Sequence, residues 1–145
     1  MDTLKIAIGA DHGGFRLKKK IIEYLREKNV EFKDFGTFDE ESCNYPDIAK
    51  KVSLEVATGN FNKGILICGT GIGMSIVANK TKGIRAALCA DTFSAKASRA
   101  HNNANILCLG QRVTGEGLAL EILDTWLNSS FESGRHKTRV DMIEC

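Results

Sequence analysis

The chain has 145 residues, 43% of them hydrophobic and 26% charged, with a single proline, which excludes intrinsic disorder and collagen-like structure. Lys and Arg number 20 against 18 Asp and Glu, and the resulting charge of +2 is too balanced for a dedicated nucleic-acid binder. This length fits one globular domain, residues 1–145, which buries enough surface to need no disulfide or metal as a staple.

Short β-branched runs alternate with amphipathic stretches from end to end. Residues 4–9 (LKIAIG) predict strand one, and residues 15–28 predict a helix with Leu17, Ile21, Ile22 and Leu25 on one face. Residues 30–35 alternate and carry charge, as an edge strand does. A second helix is expected over 47–58, closed by Gly59. The wholly apolar GILIC run, 64–68, reads as a central parallel strand. A helix over about 74–80, a strand over 85–89, a helix over 93–100, a strand over 105–109 and a helix over 115–127 follow. The tail, 129–145, is polar and then amphipathic, compatible with a last short helix. Five strands separated by helices predict an α/β fold, a three-layer doubly wound parallel sheet of Rossmann or flavodoxin type. The most economical strand order is 2-1-3-4-5.

The five cysteines, Cys43, Cys68, Cys89, Cys108 and Cys145, are odd in number and follow no C-x-x-C or C…H spacing. This argues against zinc and against a disulfide framework, and leaves a small buried hydrophobe as the plain reading of any one thiol. No His, Cys or carboxylate pair shows metal-ligand spacing, so no metal or cofactor is expected. The opening MDTLK lacks the apolar stretch of a signal peptide, and no apolar run approaches the ~20 residues of a membrane span. A cytoplasmic protein with no membrane partner is the expectation.

In such a sheet ligands bind outside the carboxyl ends of the strands, where strands one and three diverge. Two small-residue loops meet there, GADHGG (9–14) and CGTGIG (68–73), and each leads into a helix start that favours an anion. Three glycines at alternate positions let the second loop fold tightly around a ligand oxygen. Thr70 adds a hydroxyl, and Cys68 ends the strand. A tight strand-to-helix turn with an incidental thiol is the plainer alternative. A dinucleotide site is a poor rival, because G-x-G-x-G follows the third strand and the first loop carries Asp11 and His12 instead. Asp11 reads either as a site carboxylate or as the anchor of its own turn. His101 and Asn102, before strand five, read either as site residues or as a helix C-cap. Arg135 and Arg139 are i, i+4 and would project together from a helix, as a phosphate clamp or as a solvated face.

Taken together, GADHGGF, ICGTGIGMSIVANK, AHNNANILCLGQR and FESGRHKTRVDMI closely resemble the ribose-5-phosphate isomerase type B and galactose-6-phosphate isomerase family, from Ile6 to Ile143. The resemblance implies metal-free interconversion of D-ribose 5-phosphate and D-ribulose 5-phosphate through a cis-enediolate. It assigns Cys68 as the base that moves a proton between C2 and C1, a role in which only a thiolate serves. Thr70 and the backbone N–H groups of Gly69, Gly71, Ile72 and Gly73 would receive the negative charge of the enediolate. His101 matches the acid–base that opens the furanose ring. Asp11, His12 and Asn102 match sugar-contacting positions, Tyr45 adds a wall, and Arg112, Arg135 and Arg139 match the phosphate-binding arginines; His136 lies among them without an assigned part. A subgroup of the family uses a glutamate in the turn after the cysteine position, where this chain has Met74. The alternatives are a six-carbon substrate, such as allose 6-phosphate or galactose 6-phosphate, and a phosphosugar- or nucleotide-binding module without turnover. Cys68 and His101 should lie at opposite sheet edges, which predicts a homodimer or higher oligomer with shared sites.

Overall fold

The computed structural model describes residues 3–144; Met1, Asp2 and Cys145 lie outside the described residues, and with them the reading of the leaderless start and of the fifth thiol. Five strands, β1 (Lys5–Ala10), β2 (Glu31–Asp34), β3 (Lys63–Cys68), β4 (Ala86–Leu88) and β5 (Ile106–Gly110), form one wholly parallel sheet. Between and after them run α1 (Phe15–Glu27), α2 (Tyr45–Ala57), α3 (Ile72–Ala78), α4 (Thr92–Ala100), α5 (Glu116–Leu127) and α6 (Arg135–Ile143).

Every other residue of a strand faces the same layer, and the two sides of this sheet are correspondingly distinct. Ile6, Ile8, Ile65, Ile67, Leu107 and Leu109 pack under α1, α4 and α5, around Leu17, Ile21, Leu25 and the buried Trp126. Ala7, Leu66, Cys68, Ile106 and Cys108 pack under α2 and α3, against Ile48, Val52, Val56 and Met74. Each fully buried Ile or Leu contributes about 1.5–3 kcal/mol, so the two layers of core carry the fold. One charge is taken inside with its partner. Lys18 of α1 is 1% exposed, and its Nζ donates to Asp34 at the end of β2 at 2.7 and 2.8 Å and to the Thr37 carbonyl. That pair fixes α1 against the edge strand.

The predicted α/β class holds, but the order is 2-1-3-5-4 rather than 2-1-3-4-5. β5 pairs with β3, Cys68 opposite Gly110, and β4 is the far edge. The reason lies in length and burial. All five residues of β5 are buried on both faces, whereas β4 has three residues and leaves Leu88 exposed. β2 is at the other edge, as its alternating charge predicts. Two helices begin two residues before their expected starts. α2 begins at Tyr45 because Pro46 is pre-set for the first helical turn, and α3 begins at Ile72, directly after the left-handed Gly71. The tail does form a helix, α6, with Arg135 and Arg139 both exposed on it.

Candidate active site

The two glycine-rich loops touch at the carboxyl ends of β1 and β3. A side chain at Gly14 would meet the Ile67 carbonyl oxygen at 2.5 Å, and one at Gly13 would stand 3.1 Å from the Gly69 nitrogen. Asp11 is buried, and its Oδ1 accepts the Gly13 N–H at 2.8 Å, so the residue does anchor its own turn. His12, half-buried, accepts the backbone N–H of Cys43 on Nδ1 at 3.2 Å. A ring nitrogen that accepts carries no proton, which places the hydrogen of the neutral ring on Nε2 and makes that edge a donor.

Cys68 is buried at the last position of β3, and its Sγ accepts the N–H of Gly71 at 3.1 Å. Gly71 has φ +79°, and a Cβ there would lie 2.5 Å from Leu88 and 2.9 Å from the Leu109 carbonyl carbon. Only glycine turns the chain here. Thr70 is exposed, with its Oγ1 accepting the Ile72 N–H at 3.2 Å. The expectation that every N–H of 69–73 stands ready for a ligand is therefore corrected. The N–H of Gly71 serves the sulfur and that of Ile72 serves Thr70, while those of Gly69, Thr70 and Gly73 have no hydrogen-bond partner among the described residues. Tyr45 does form a wall, its ring so close that a Cβ on Gly73 would meet it at 2.5 Å. Met74 is fully buried, so the turn after Cys68 offers no second base at that position. Arg112 follows β5, donates its backbone N–H to the Gly69 carbonyl at 2.9 Å and lays its guanidinium beside Gly69.

The other cysteines are chemically different. Burial pushes the Cys89 thiol up to about 11, and burial with Cys68 nearby drives Cys108 higher still. Both are structural thiols, as is expected of cysteine in apolar surroundings.

A second group gathers at the amino edge of the sheet. His101 caps the C-terminus of α4, and Asn102 follows it, its carbonyl accepting from Arg85. The C-cap reading of this knot is correct as far as backbone goes, with Asn103 in the left-handed region at φ 49°. His101 stacks on His136 of α6, ring centroids 4.2 Å apart and planes 11° apart. Glu132 Oε1 faces both rings, 3.8 Å from His101 Nε2 and 3.6 Å from His136 Nε2. The Glu132 backbone N–H is tied to the Ala100 carbonyl at 3.0 Å, which holds the start of the tail against the end of α4. Arg135 and Arg139 project from the first turns of α6. His136 sits below the ordinary imidazole value because it is buried, and because His101, Arg135 and Arg139 stand near it, against the opposite pull of Glu132.

The sequence-derived residues thus fall into two groups. Asp11, His12, Tyr45, Cys68, Gly69, Thr70, Gly71, Ile72, Gly73 and Arg112 stand at one edge; His101, Asn102, Arg135, His136 and Arg139 stand at the other. β5 alone separates the edges by about 13 Å over its four residue steps, beyond hydrogen-bond reach. Glu132 is the residue sequence reasoning missed. Its i, i+4 spacing to His136 was the available signal, and Oε1 lies 3.6 Å from the His136 ring.

Residues 6–143 match the family described as Ribose/Galactose Isomerase. The chain belongs to that family. The family's members include Ribose-5-P isomerase B of Listeria innocua, 52% identical over 97% of this chain and 95% of that protein. D-erythrulose-4-phosphate isomerase of Pectobacterium atrosepticum is 46% identical over 97% of this chain and 93% of its own length. Among solved structures, that of ribose-5-phosphate isomerase B from Clostridium thermocellum superposes with a TM-score of 0.96 at 53% identity, covering 97% and 95% of the two chains. Membership makes this an aldose–ketose isomerase fold with its glycine loops in place, and no helix among the described residues is long and apolar enough to cross a membrane.

Proposed function

We propose that the enzyme interconverts D-ribose 5-phosphate and D-ribulose 5-phosphate without a metal, with Cys68 as the base. The observation that carries this is the sulfur at the end of β3, held in a glycine loop with the Gly71 N–H pointed at it. An N–H aimed at sulfur is what a thiolate accepts from, and a thiolate is the form that abstracts a proton. His101 first takes the hydrogen from the anomeric hydroxyl and returns one to the ring oxygen, which opens the furanose to the free aldehyde. Cys68 then removes the C2 proton, leaving a cis-enediolate, and delivers it to C1 while the hydroxyl proton passes from O2 to O1. The unpartnered N–H groups of Gly69, Thr70 and Gly73, with the Thr70 hydroxyl, stabilise the oxygen on which charge develops; one such donor is typically worth about 3 kcal/mol of barrier. Asp11, His12 and Asn102 hold sugar hydroxyls, Tyr45 walls the pocket, and Arg112, Arg135 and Arg139 bind the phosphate.

One chain keeps Cys68 and His101 apart, so the site is completed by a second copy. A two-fold partner presents its amino edge, with His101, Asn102 and the α6 arginines, to the crevice of the first chain. The apolar side chains exposed on and near α3, Ile72, Ile76 and Leu88, support such an interface. The whole chain acts as one isomerase domain whose tail supplies phosphate ligands, in the reduced cytoplasm that free thiols require.

The test is steady-state isomerisation of four-, five- and six-carbon aldose phosphates by the same preparation, before and after exhaustive chelation. The highest kcat/KM on ribose 5-phosphate, unchanged by chelation, is the expected result. A preference for another chain length overturns the substrate, and absence of turnover on all three reduces the protein to a binding module.

A further inference from the structure

The cluster at the amino edge has a property that isomerisation does not use. His101, Glu132 and His136 each offer a ligand atom, and these atoms lie within 4.8 Å of one another. Two carboxylate-to-imidazole distances, 3.6 and 3.8 Å, already approach the ~3.4 Å that separates ligands around a four-coordinate zinc with bonds of about 2.0–2.2 Å. Closing the two rings on a common ion takes a turn of His101 out of its stack on His136, and that side chain is about half exposed. His136 supplies an independent sign. It is 8% exposed, and its Nε2 is buried without any hydrogen-bond partner, although it faces Glu132. An orphaned buried nitrogen costs about 1–3 kcal/mol unless something else engages its lone pair or its hydrogen.

We propose that His101, Glu132 and His136 form a site for one divalent transition-metal ion, zinc by its donor chemistry, and that the ion inhibits the enzyme by taking His101 out of ring opening. Two imidazoles and one carboxylate with an open fourth position are a familiar zinc donor set. The carboxylate supplies the single negative charge, and the backbone bond from Glu132 to Ala100 holds that residue at the end of α4. Arg135 and Arg139, on the same helix, oppose a cation, so binding is reversible. The inhibitory half of the proposal rests on the reading of His101 as the ring-opening residue.

The experiment uses untagged full-length enzyme stripped of metal, titrated with Co2+ and Zn2+, beside the variants Glu132→Gln and His136→Gln. Thermal melts establish that both variants fold. The site predicts one Co2+ per chain with a visible ligand-field band and no sulfur-to-metal charge-transfer band, and affinity at least about tenfold weaker in each variant. Zn2+ should inhibit the wild type reversibly, with relief by EDTA, and should inhibit each variant far less relative to its own metal-free rate. A charge-transfer band, or binding and inhibition unchanged in both variants, places the metal on Cys68 or elsewhere and overturns the proposal. Cobalt bound as described but with full turnover by the loaded wild type overturns the inhibitory half, and the assignment of ring opening to His101 with it, while the chain-length comparison above still stands.

Discussion

Cys68 and His101 sit at opposite ends of the same two central strands and are held by different means. Cys68 is placed by backbone. It ends a strand buried from Gly64 onward, Gly71 turns the chain at φ +79°, and neighbouring atoms leave no room for a Cβ at Gly71, Gly73 or Gly110. His101 is placed by side chains at helix ends, stacked on His136 and facing Glu132, on a surface where Arg135 and Arg139 are also exposed. On the reading proposed above, the edge built by backbone carries the base and the edge built by side chains at helix ends carries ring opening and two of the phosphate-binding arginines. Proton abstraction needs sub-ångström placement, whereas a phosphate must be able to enter and leave.

The comparison can be pressed at four points, beginning with the largest effect. Cys68→Ala should abolish isomerisation, a loss of at least about 10²–10⁴ in kcat, while a phosphosugar analogue still binds within a few-fold by calorimetry. Near-normal turnover by that variant removes Cys68 as the base. Gly71→Ala strikes the backbone that places the sulfur. It should cost about 1–3 kcal/mol in denaturant unfolding and lower kcat more than it raises KM, since the distorted loop is where charge develops. Unchanged stability and kcat would show the loop to be more pliant than its contacts imply.

How much of this was legible in sequence follows the same division. The backbone-built half was readable because G-x-G-x-G after an apolar pentad can serve few purposes: Gly71 is demanded by its positive φ and the nearby Leu109 backbone, and Gly73 by the Tyr45 ring. The strand order was not. GILIC, RAALC and NILCL all read as buried runs, and only packing shows that β4 is the short, half-exposed edge while β5 takes the centre. Glu132 was legible only as half of an i, i+4 pair with His136. In FESGRH it is otherwise one acid in a polar loop, and its place beside His101 follows from a hydrogen bond to Ala100 that brings the loop to the end of α4.

The half built at helix ends should respond more gently. Arg139→Ala should raise KM for the phosphosugar by about tenfold with kcat within a few-fold, because a partly solvated phosphate contact contributes about equally to ground state and transition state. A loss confined to kcat would move Arg139 from phosphate to chemistry. The smallest effect concerns His136. Its folded value lies below the ordinary 6.5, so the unfolded chain binds the proton more readily. Its contribution to stability is therefore complete above about pH 6.5 and is lost as pH falls through the lower folded value. Unfolding free energies measured between pH 5 and pH 8 should fall more steeply towards acid in the wild type than in His136→Gln. Parallel curves would contradict the depressed value.

The central claim, that a working site joins the Cys68 edge of one chain to the His101 edge of another, is tested most directly by complementation. Cys68→Ala and His101→Ala chains, each inactive alone, are mixed under conditions that allow subunit exchange. A mixed dimer then holds one intact site and one doubly damaged site, and complete random exchange should restore roughly a quarter of wild-type activity. Failure to recover any activity, with exchange demonstrated by mass spectrometry of differently labelled chains, would show that each chain builds its site alone.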